Sequence, residues 1–222
     1  MSNIKKKDEK VVDAVIEEKK TNTDTFDKPY FFPRAVAYII DILLVSIVCS
    51  GILFLIPENK NYDAYVKEYE QIQTDVIEKK IDTKEYFNKA IDIVYDIDYS
   101  NCMSMIIEIV VIILYFVVFQ YYNNGQTLGK KIMKLRVISN NGDSLSLNHV
   151  AYRALIINSV LINMLIVAAL LFLGRNYYYY ASLLLQIISE IIVIVTLIMI
   201  MFRKDGRGLH DIIAGTKVVQ EN

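Results

Sequence analysis

The sequence predicts an all-α membrane protein with four transmembrane helices, an extracellular helical hairpin and a small cytoplasmic β element. Hydrophobic residues make up 54% of the 222 residues, and they are clustered rather than spread evenly. Each cluster carries at most two charged residues and is long enough to cross the hydrocarbon core of a bilayer as a helix. The four clusters lie at about 34–56, 102–122, 154–174 and 178–202. This pattern excludes a soluble domain with one large core.

The first span contains the two charged residues on which the rest of the prediction depends. Arg34 begins the span and Asp41 follows within it, so on a helix both side chains share one face, about 10 Å apart along the axis. A charge inside a membrane usually faces a protein interior or a wet cavity. Asp41 is therefore either a site for a cation or proton or a structural acceptor that joins helices, and the sequence leaves both open.

Two segments lie outside the predicted spans. Residues 1–29 mix charges of both signs with little apolar content, which predicts a disordered cytoplasmic tail. Residues 57–101 carry two helical stripes of apolar residues, which predict an external helical hairpin that interrupts a membrane domain of 30–219. The hairpin is either a lid for a ligand or partner or, as we prefer, a solvated pair packed on itself or on the spans.

The distribution of basic residues predicts the orientation. Lys and Arg are frequent in residues 123–153 and again after Phe202. The positive-inside rule assigns such segments to the cytoplasmic side. Both termini are therefore predicted to be cytoplasmic.

The segment after the second span predicts a short surface helix followed by strands. Leu128 and Ile132 recur at helical spacing opposite Lys130 and Lys131, which predicts a basic amphipathic helix lying on the cytoplasmic surface. Strands are predicted at 135–139 and 144–147, on either side of an Asn-Asn-Gly-Asp turn.

The end of the chain repeats this arrangement. When residues 125–138 are set over 206–219, glycine, leucine, isoleucine and valine match at four positions. Arg-Ala also opens both the first and the third span, at Arg34 and Arg153. These matches indicate a parallel duplication. The duplication predicts that 217–219 pairs near 136–138, within a β element of about 135–147 with 216–220.

Taken together, the motifs resemble the RDD family of membrane proteins. The resemblance rests on Arg34 and Asp41, on Gly-Gln-Thr-Leu-Gly-Lys-Lys followed by Leu-Arg-Val at 125–137, and on Gly-Leu-His-Asp-Ile-Ile-Ala-Gly-Thr-Lys-Val at 208–218. It covers most of 30–219, although the 57–101 insert departs from the compact pattern. It implies a bacterial multi-pass protein of the plasma membrane with a role in transport, and some members are linked to sodium/proton exchange. It also implies that Asp211 is the second aspartate of the family's name.

Two groups of residues are the candidates for binding or transport. The first is a polar site at the cytoplasmic end, formed by Arg34, Asp41 and Asp211 and supported by Arg153 and His210. The second is Glu190 in the fourth span, with Gln186 one turn earlier on the same face. Glu190 serves either transport or a hydrogen bond between helices, and the polar residues available on the third span are Asn158 and Asn163.

The sequence contains no signature of an enzyme. Gly125–Lys131 has its glycines one residue too close for a phosphate loop, and there is no zinc-spaced Cys/His set and no nucleophile elbow. We therefore predict no catalytic residue, no metal and no cofactor. The basic residues lie next to spans, which favours a membrane surface over nucleic acid.

Two functions remain open at this stage. The first is a small transporter or transport accessory, with protons or sodium as candidate ions moved by intramembrane carboxylates, and with a homo-oligomer where four spans are too few to enclose a pore. The alternative is a membrane scaffold or assembly factor that binds partners through the tail and the hairpin.

Overall fold

The computed structural model describes residues 31–57, 59 and 61–221, and most of these are helical. The helices in chain order are α1 (Phe31–Leu53), α2 (Tyr62–Ile77), α3 (Thr83–Ser100), α4 (Cys102–Tyr122), α5 (Leu128–Ile132), α6 (Leu147–Ile157), α7 (Val160–Phe172), α8 (Arg175–Phe202) and α9 (Leu209–Ile213). The strands are β1 (Leu135–Ser139) and β2 (Thr216–Gln220). The predicted tail, 1–29, lies outside the described residues.

Three helices, α1, α4 and α8, are long and apolar enough to cross a membrane, and a fourth span results if the bent pair α6 and α7 counts as one. Most of their apolar side chains are exposed; only 11% of the most apolar part of α8 is buried. That exposure is expected of helices surrounded by lipid, which is as apolar as a leucine side chain. Within α4, the segment Leu114–Phe119 is π-helical.

The third apolar cluster, 154–174, does not form one continuous helix, and this part of the prediction was wrong. The axes of α6 and α7 differ by 65°. Between them, Ser159 has a left-handed backbone conformation, with φ of 52°, which interrupts the helical hydrogen bonding. The hydroxyl of Ser159 lies 2.7 Å from that of Ser189 on α8. Hydropathy registers the apolar run but does not register this bend.

Helices α2 and α3, from the predicted hairpin segment, pack against each other and against the start of α8. Their apolar stripes form a core that also contacts Tyr179. Asp96 accepts a hydrogen bond from Arg175 at 2.7 Å, and Asp98 accepts one from the Tyr178 hydroxyl at 2.5 Å. The two helices are therefore fixed to the spans by both apolar and polar contacts.

The strands β1 and β2 form an antiparallel pair, in which Val137 lies opposite Val218. The predicted pairing of 136–138 with 217–219 is confirmed. The predicted strand at 144–147 was wrong, because Ser146 instead caps α6: its Oγ accepts a hydrogen bond from the backbone N–H of His149 at 3.3 Å. The sheet packs on Ala37 of α1, and we call this end of the bundle the sheet end.

The two halves of the predicted duplication share backbone conformation as well as sequence. In each half a short helix, α5 or α9, leads into one strand of the sheet. The aligned residues Gly125 and Gly206 have φ of 83° and 63°, and the aligned residues Lys134 and Gly215 have φ of 54° and 64°. The repeat therefore extends to the positions where the chain must turn.

Candidate functional site

Asp41 lies near the middle of α1 and is completely buried. Its Oδ1 accepts hydrogen bonds from the Tyr115 hydroxyl at 2.6 Å and from the backbone N–H of Gly129 at 2.7 Å. Its Oδ2 accepts a hydrogen bond from the Thr127 hydroxyl at 2.5 Å. Short hydrogen bonds to a carboxylate are stronger than those between neutral groups, so Asp41 fixes α1 to the segment that begins α5.

These contacts answer a local requirement of α5. The first N–H groups of a helix have no partner within that helix. The N–H of Leu128 donates to the Tyr115 hydroxyl at 3.1 Å, and the N–H of Lys130 donates to the Thr127 hydroxyl at 3.3 Å. The N–H between them is the one that reaches Asp41. All three amides therefore have a hydrogen-bond partner outside the backbone of α5.

Gly129 permits this close approach of α5 to α1. A Cβ at this position would lie 2.1 Å from the carbonyl oxygen of Ala37 and 2.8 Å from Oδ1 of Asp41. Any residue other than glycine would push the two helices apart and break the hydrogen bond to Asp41.

The apolar side chains of α5 point away from Asp41. Leu128 and Ile132 are 41% and 64% exposed, whereas Gly129 is buried and Lys130 is half-buried. This orientation follows because the amides of the first turn of α5 donate to Tyr115, Asp41 and Thr127.

Asp211 is also completely buried, and arginines from two helices bind it. Arg34 of α1 donates to Oδ2 at 2.8 Å, and Arg153 of α6 donates to Oδ1. Arg34 also donates to the carbonyl oxygen of Gly206, and Arg153 donates to the Thr216 hydroxyl at 2.9 Å. One carboxylate therefore joins α1 and α6 to the chain on both sides of α9.

His210 lies beside this ion-pair network and is 2% exposed. Its Nε2 lies 3.4 Å from Oδ2 of Asp211, while its Nδ1 has no hydrogen-bond partner among the residues that the structure describes. Burial, and then the positive charges of Arg153 and Arg34, hold the pKa of His210 well below its usual range. The imidazole is therefore neutral at pH 7.

A cavity of about 310 Å³ adjoins both aspartate sites. Within the described part of the chain no carboxylate lines this cavity; the lining residues that carry polar side-chain atoms are Arg34, Tyr38, Gln120, Lys130, Arg153, Asn158 and His210. Its other walls are apolar and come from α1, α4, α6 and α8 as well as from both strands. The cavity is therefore basic on its polar side, because Asp211 is bound by the two arginines and Asp41 is bound by Tyr115, Thr127 and Gly129.

Lys130 differs from the two arginines of the cavity in its partners. Its Nζ lies 3.3 Å from the Thr127 hydroxyl and 5.8 Å from the ring centre of Phe116, and no carboxylate within ranges 31–57 and 61–221 forms an ion pair with it. Burial, followed by the charge of Arg153, lowers the pKa of Lys130 to about 7, while Asp41 opposes this effect. Lys130 therefore has no carboxylate partner among the described residues, and an anion bound beside it would favour its protonated form.

Comparison with known proteins agrees with this geometry. A model of the RDD family matches residues 28–215, which include Arg34, Asp41 and Asp211. The chain belongs to the RDD family. Searches of curated proteins and of solved structures gave no significant match. In this RDD protein Arg34 and Asp41 both belong to α1 but bind different partners. Arg34 contacts Asp211, whereas Asp41 contacts α5.

The other predicted site residues of this RDD protein lie in two places. Arg153 and His210 join Arg34 and Asp211 at the sheet end, whereas Gln186 and Glu190 are exposed on α8. Of the two alternatives for Glu190, the hydrogen bond to the third span is not formed, and no described residue is within hydrogen-bonding or ion-pairing distance of its carboxylate. Asn158 lines the cavity instead, and its Oδ1 has no partner in the described chain.

Five residues that contact Asp41 or Arg153 or line the cavity were not among the sequence candidates. They are Tyr115, Thr127, Gly129, Lys130 and Thr216. Four of these lie within motifs already noticed, and Thr127 before a short helix is a recognisable N-cap signal. Tyr115 had no such signal. It reaches Asp41 from the π-helical segment of α4, which sequence periodicity does not predict.

Proposed function

We propose that this RDD protein is a small transporter or transport accessory, and that its ligand binds in the cavity at the sheet end. The observation that carries the proposal is the absence of any carboxylate from the described lining of a cavity that contains Arg34, Lys130, Arg153 and His210. A concave site with apolar walls and a few convergent polar groups is typical of small-molecule binding.

The same geometry supports a structural role for the two aspartates, in which each joins helices of the bundle. The oxygens of Asp41 already accept three hydrogen bonds, and those of Asp211 are bound by two arginines. A sodium ion would have to compete with these donors for the carboxylate oxygens. Exchange of sodium for protons through Asp41 or Asp211 is therefore the weaker form of the transport proposal.

The proposal includes a topology. Four spans, with α6 and α7 together forming the third, and both termini on the cytoplasmic side would place the sheet end in the cytoplasmic half of a bacterial plasma membrane. The support is the positive-inside rule, because the basic segments around α5 and after α8 lie at this end. The pair α2 and α3 would then lie outside the cell.

A homo-oligomer is also part of the proposal. Glu190 and Gln186 are exposed one turn apart on α8, and a carboxylate that faces lipid alone costs at least about 2.5 kcal/mol. A second copy of the chain would supply polar partners at this depth.

The Glu190→Leu variant should then dissociate the oligomer in light-scattering measurements on detergent-solubilised protein, whereas Glu108→Leu, at an exposed carboxylate of α4, should leave its mass unchanged. Equal masses for wild type and both variants would remove Glu190 from the interface.

The experiment is a flux panel in proteoliposomes that compares wild type with Lys130→Gln, Lys131→Gln and Asp41→Asn. The panel contains sodium, protons and organic anions. Lys131 is exposed beside Lys130 and supplies a control with the same change in charge. We expect anion flux in wild type, a loss of about tenfold in Lys130→Gln, equivalent to about 1.4 kcal/mol, and no loss in Lys131→Gln.

Two results would contradict the proposal. Sodium or proton flux that Asp41→Asn abolishes in a folded protein would move the site to that carboxylate. No flux of any kind in wild type would favour the scaffold alternative.

The observation that favours a scaffold is the exposed apolar surface of the pair α2 and α3. Ile77 is 78% exposed and Phe87 is 45% exposed on this pair. The double variant Ile77→Ser/Phe87→Ser should release a partner that co-purifies with wild type while leaving the unfolding temperature unchanged. A partner retained by this variant would exclude this surface as the contact.

A further inference from the structure

We infer that the cavity at the sheet end binds an anionic amphiphile, with its carboxylate or phosphate head at Lys130 and its apolar chain along α1 and α8. The inference rests on the proposed function only in taking this cavity as the ligand site. It names the ligand class and does not require that the ligand be moved across the membrane.

The charge of the cavity requires an anion. Arg34, Arg153 and Lys130 supply three positive charges, against which Asp41 and Asp211 supply two negative charges. Both arginines are paired with Asp211, and the oxygens of Asp41 are occupied by uncharged donors. When Lys130 is protonated, the excess positive charge therefore lies there, and an anion bound beside it would stabilise that charged form.

Two further polar groups in the lining await a partner. His210 Nδ1 and Asn158 Oδ1 are buried without a hydrogen bond to any residue in the described ranges. The Oδ1 of Asn158 is an acceptor and can only receive a hydrogen bond from a headgroup hydroxyl, whereas its Nδ2 is a donor. His210 Nδ1, in the tautomer that carries the ring proton there, and Asn158 Nδ2 can donate to the oxygens of a carboxylate or phosphate held at Lys130.

The apolar side of the cavity requires a ligand with a chain. Ile39 of α1 and Leu197 of α8 line the cavity and are 58% and 41% exposed. We infer that the cavity opens between these two helices, which face lipid in the proposed topology. A fully hydrated anion would leave these walls without an apolar partner, whereas an alkyl chain would cover them.

The volume agrees with a headgroup and the beginning of a chain. A cavity of about 310 Å³ has room for roughly ten water molecules. That is enough for a carboxylate or phosphate and a few carbon atoms. The rest of the chain must leave through the opening between α1 and α8 and lie in the bilayer.

Photolabelling of the purified full-length protein in detergent tests this inference. The probe is a fatty acid with a diazirine on its chain, and its methyl ester is the uncharged control. We expect the acid to label peptides of α1 and α8 and the ester to label them about tenfold less, the loss expected for one charge-assisted hydrogen bond. Lys130→Gln should reduce labelling by the acid about tenfold, whereas Lys131→Gln should not.

A second variant tests the apolar part of the site without changing its charge. Leu197→Trp fills the opening from α8 and should also abolish labelling. The unfolding temperature shows whether each variant remains folded.

Competition with unlabelled compounds identifies the source of the ligand. Displacement by phosphatidylglycerol but not by phosphatidylcholine indicates a membrane lipid, whereas displacement by unlabelled fatty acid alone indicates a free amphiphile, and both agree with the inference.

Three results would overturn it: equal labelling by acid and ester, equal loss in Lys130→Gln and Lys131→Gln, or displacement by inorganic phosphate alone. Failure of this inference is distinguishable from failure of the proposed function. Labelling at the cavity without flux in proteoliposomes rejects transport and keeps the ligand class. Anion flux without labelling at the cavity rejects the ligand class and keeps transport.

Discussion

The two buried aspartates stabilise the same end of the bundle with different kinds of partner. Asp41 belongs to α1 and accepts hydrogen bonds from three uncharged donors, one of them an amide of α5. Asp211 belongs to α9 itself, accepts a hydrogen bond from the N–H of Gly208 at 3.1 Å, and is bound by two arginines. The carboxylate of Asp41 is therefore stabilised by uncharged hydrogen-bond donors, and that of Asp211 is stabilised mainly by two positive charges.

The sequence repeat sharpens this comparison, because Lys130 in the first half aligns with Asp211 in the second half. Both occupy the third position of a short helix. The second half neutralises its aspartate within the protein, whereas the first half leaves its lysine without a carboxylate. The aligned helices thus contain one closed ion-pair network and one lysine that pairs with no carboxylate among the described residues.

The largest expected effect is that of Asp211→Asn. It leaves the buried Arg34 and Arg153 without their counter-ion, and removal of one partner from a buried ion pair costs about 3–5 kcal/mol. Thermal unfolding in detergent measures the loss. The control is Asp205→Asn, because Asp205 also binds two arginines, Arg203 and Arg207, but is exposed, so its loss should stay below about 1 kcal/mol. Equal losses would contradict the role of burial.

Gly129→Ala should produce the next largest loss, because its Cβ would overlap the carbonyl oxygen of Ala37. Overpacking of this kind costs about 3 kcal/mol. Gly51→Ala, in the same membrane domain and with open space around the new methyl group, should cost nothing. The unfolding temperatures of the two variants provide the measurement, and a stable Gly129→Ala protein would show that α5 does not need its close approach to α1.

Asp41→Asn should have a smaller effect than Asp211→Asn. The three donors around Asp41 carry no formal charge, so a neutral side chain leaves unsatisfied hydrogen bonds but no unpaired ion. The expected loss is about 2 kcal/mol. Glu108→Gln, at an exposed carboxylate of α4, is the control and should change the free energy of unfolding by less than about 0.5 kcal/mol. A loss for Asp41→Asn as large as that for Asp211→Asn would erase the distinction between the two sites.

The smallest expected effect is that of Lys130 on how the free energy of unfolding depends on pH. Its pKa is about 7 in the folded protein against 10.5 for a free lysine, so between these values the unfolded chain binds more protons. The free energy of unfolding should therefore rise with pH across this window. The rise should be smaller in Lys130→Gln and unchanged in Lys131→Gln, as measured by unfolding at a series of pH values. Identical pH profiles for the two variants would mean that Lys130 is as well solvated as its neighbour.

The coarse fold was predictable because the membrane restricts it. Apolar runs such as 34–56 identified the positions of the long helices, and the repeat predicted that Val137 and Val218 would pair. The break at Ser159 was not predictable, because an uninterrupted apolar run satisfies hydropathy whether or not the helix bends. The π-helical segment around Tyr115 was missed for the same reason.

The site was predictable to the extent that a charge in a membrane needs a partner. That argument placed Arg34, Arg153 and Asp211 in one cluster, but it could not assign the partners of Asp41, since one of them is a backbone N–H. It also failed to separate Lys130 from Lys131. Adjacent residues on a helix differ by 100° in direction, so the outcome depends on which side of α5 faces the protein, and the contacts of its first amides with Tyr115, Asp41 and Thr127 decide this.

The central claim is that the aspartates hold the fold whereas Lys130 holds the ligand. Photolabelling by the diazirine fatty acid, carried out on Asp41→Asn and Lys130→Gln below their unfolding temperatures, tests it most directly. The account predicts that Asp41→Asn is less stable but still labelled at α1 and α8, and that Lys130→Gln is stable but labelled about tenfold less. Loss of labelling in folded Asp41→Asn with full labelling in Lys130→Gln would contradict it.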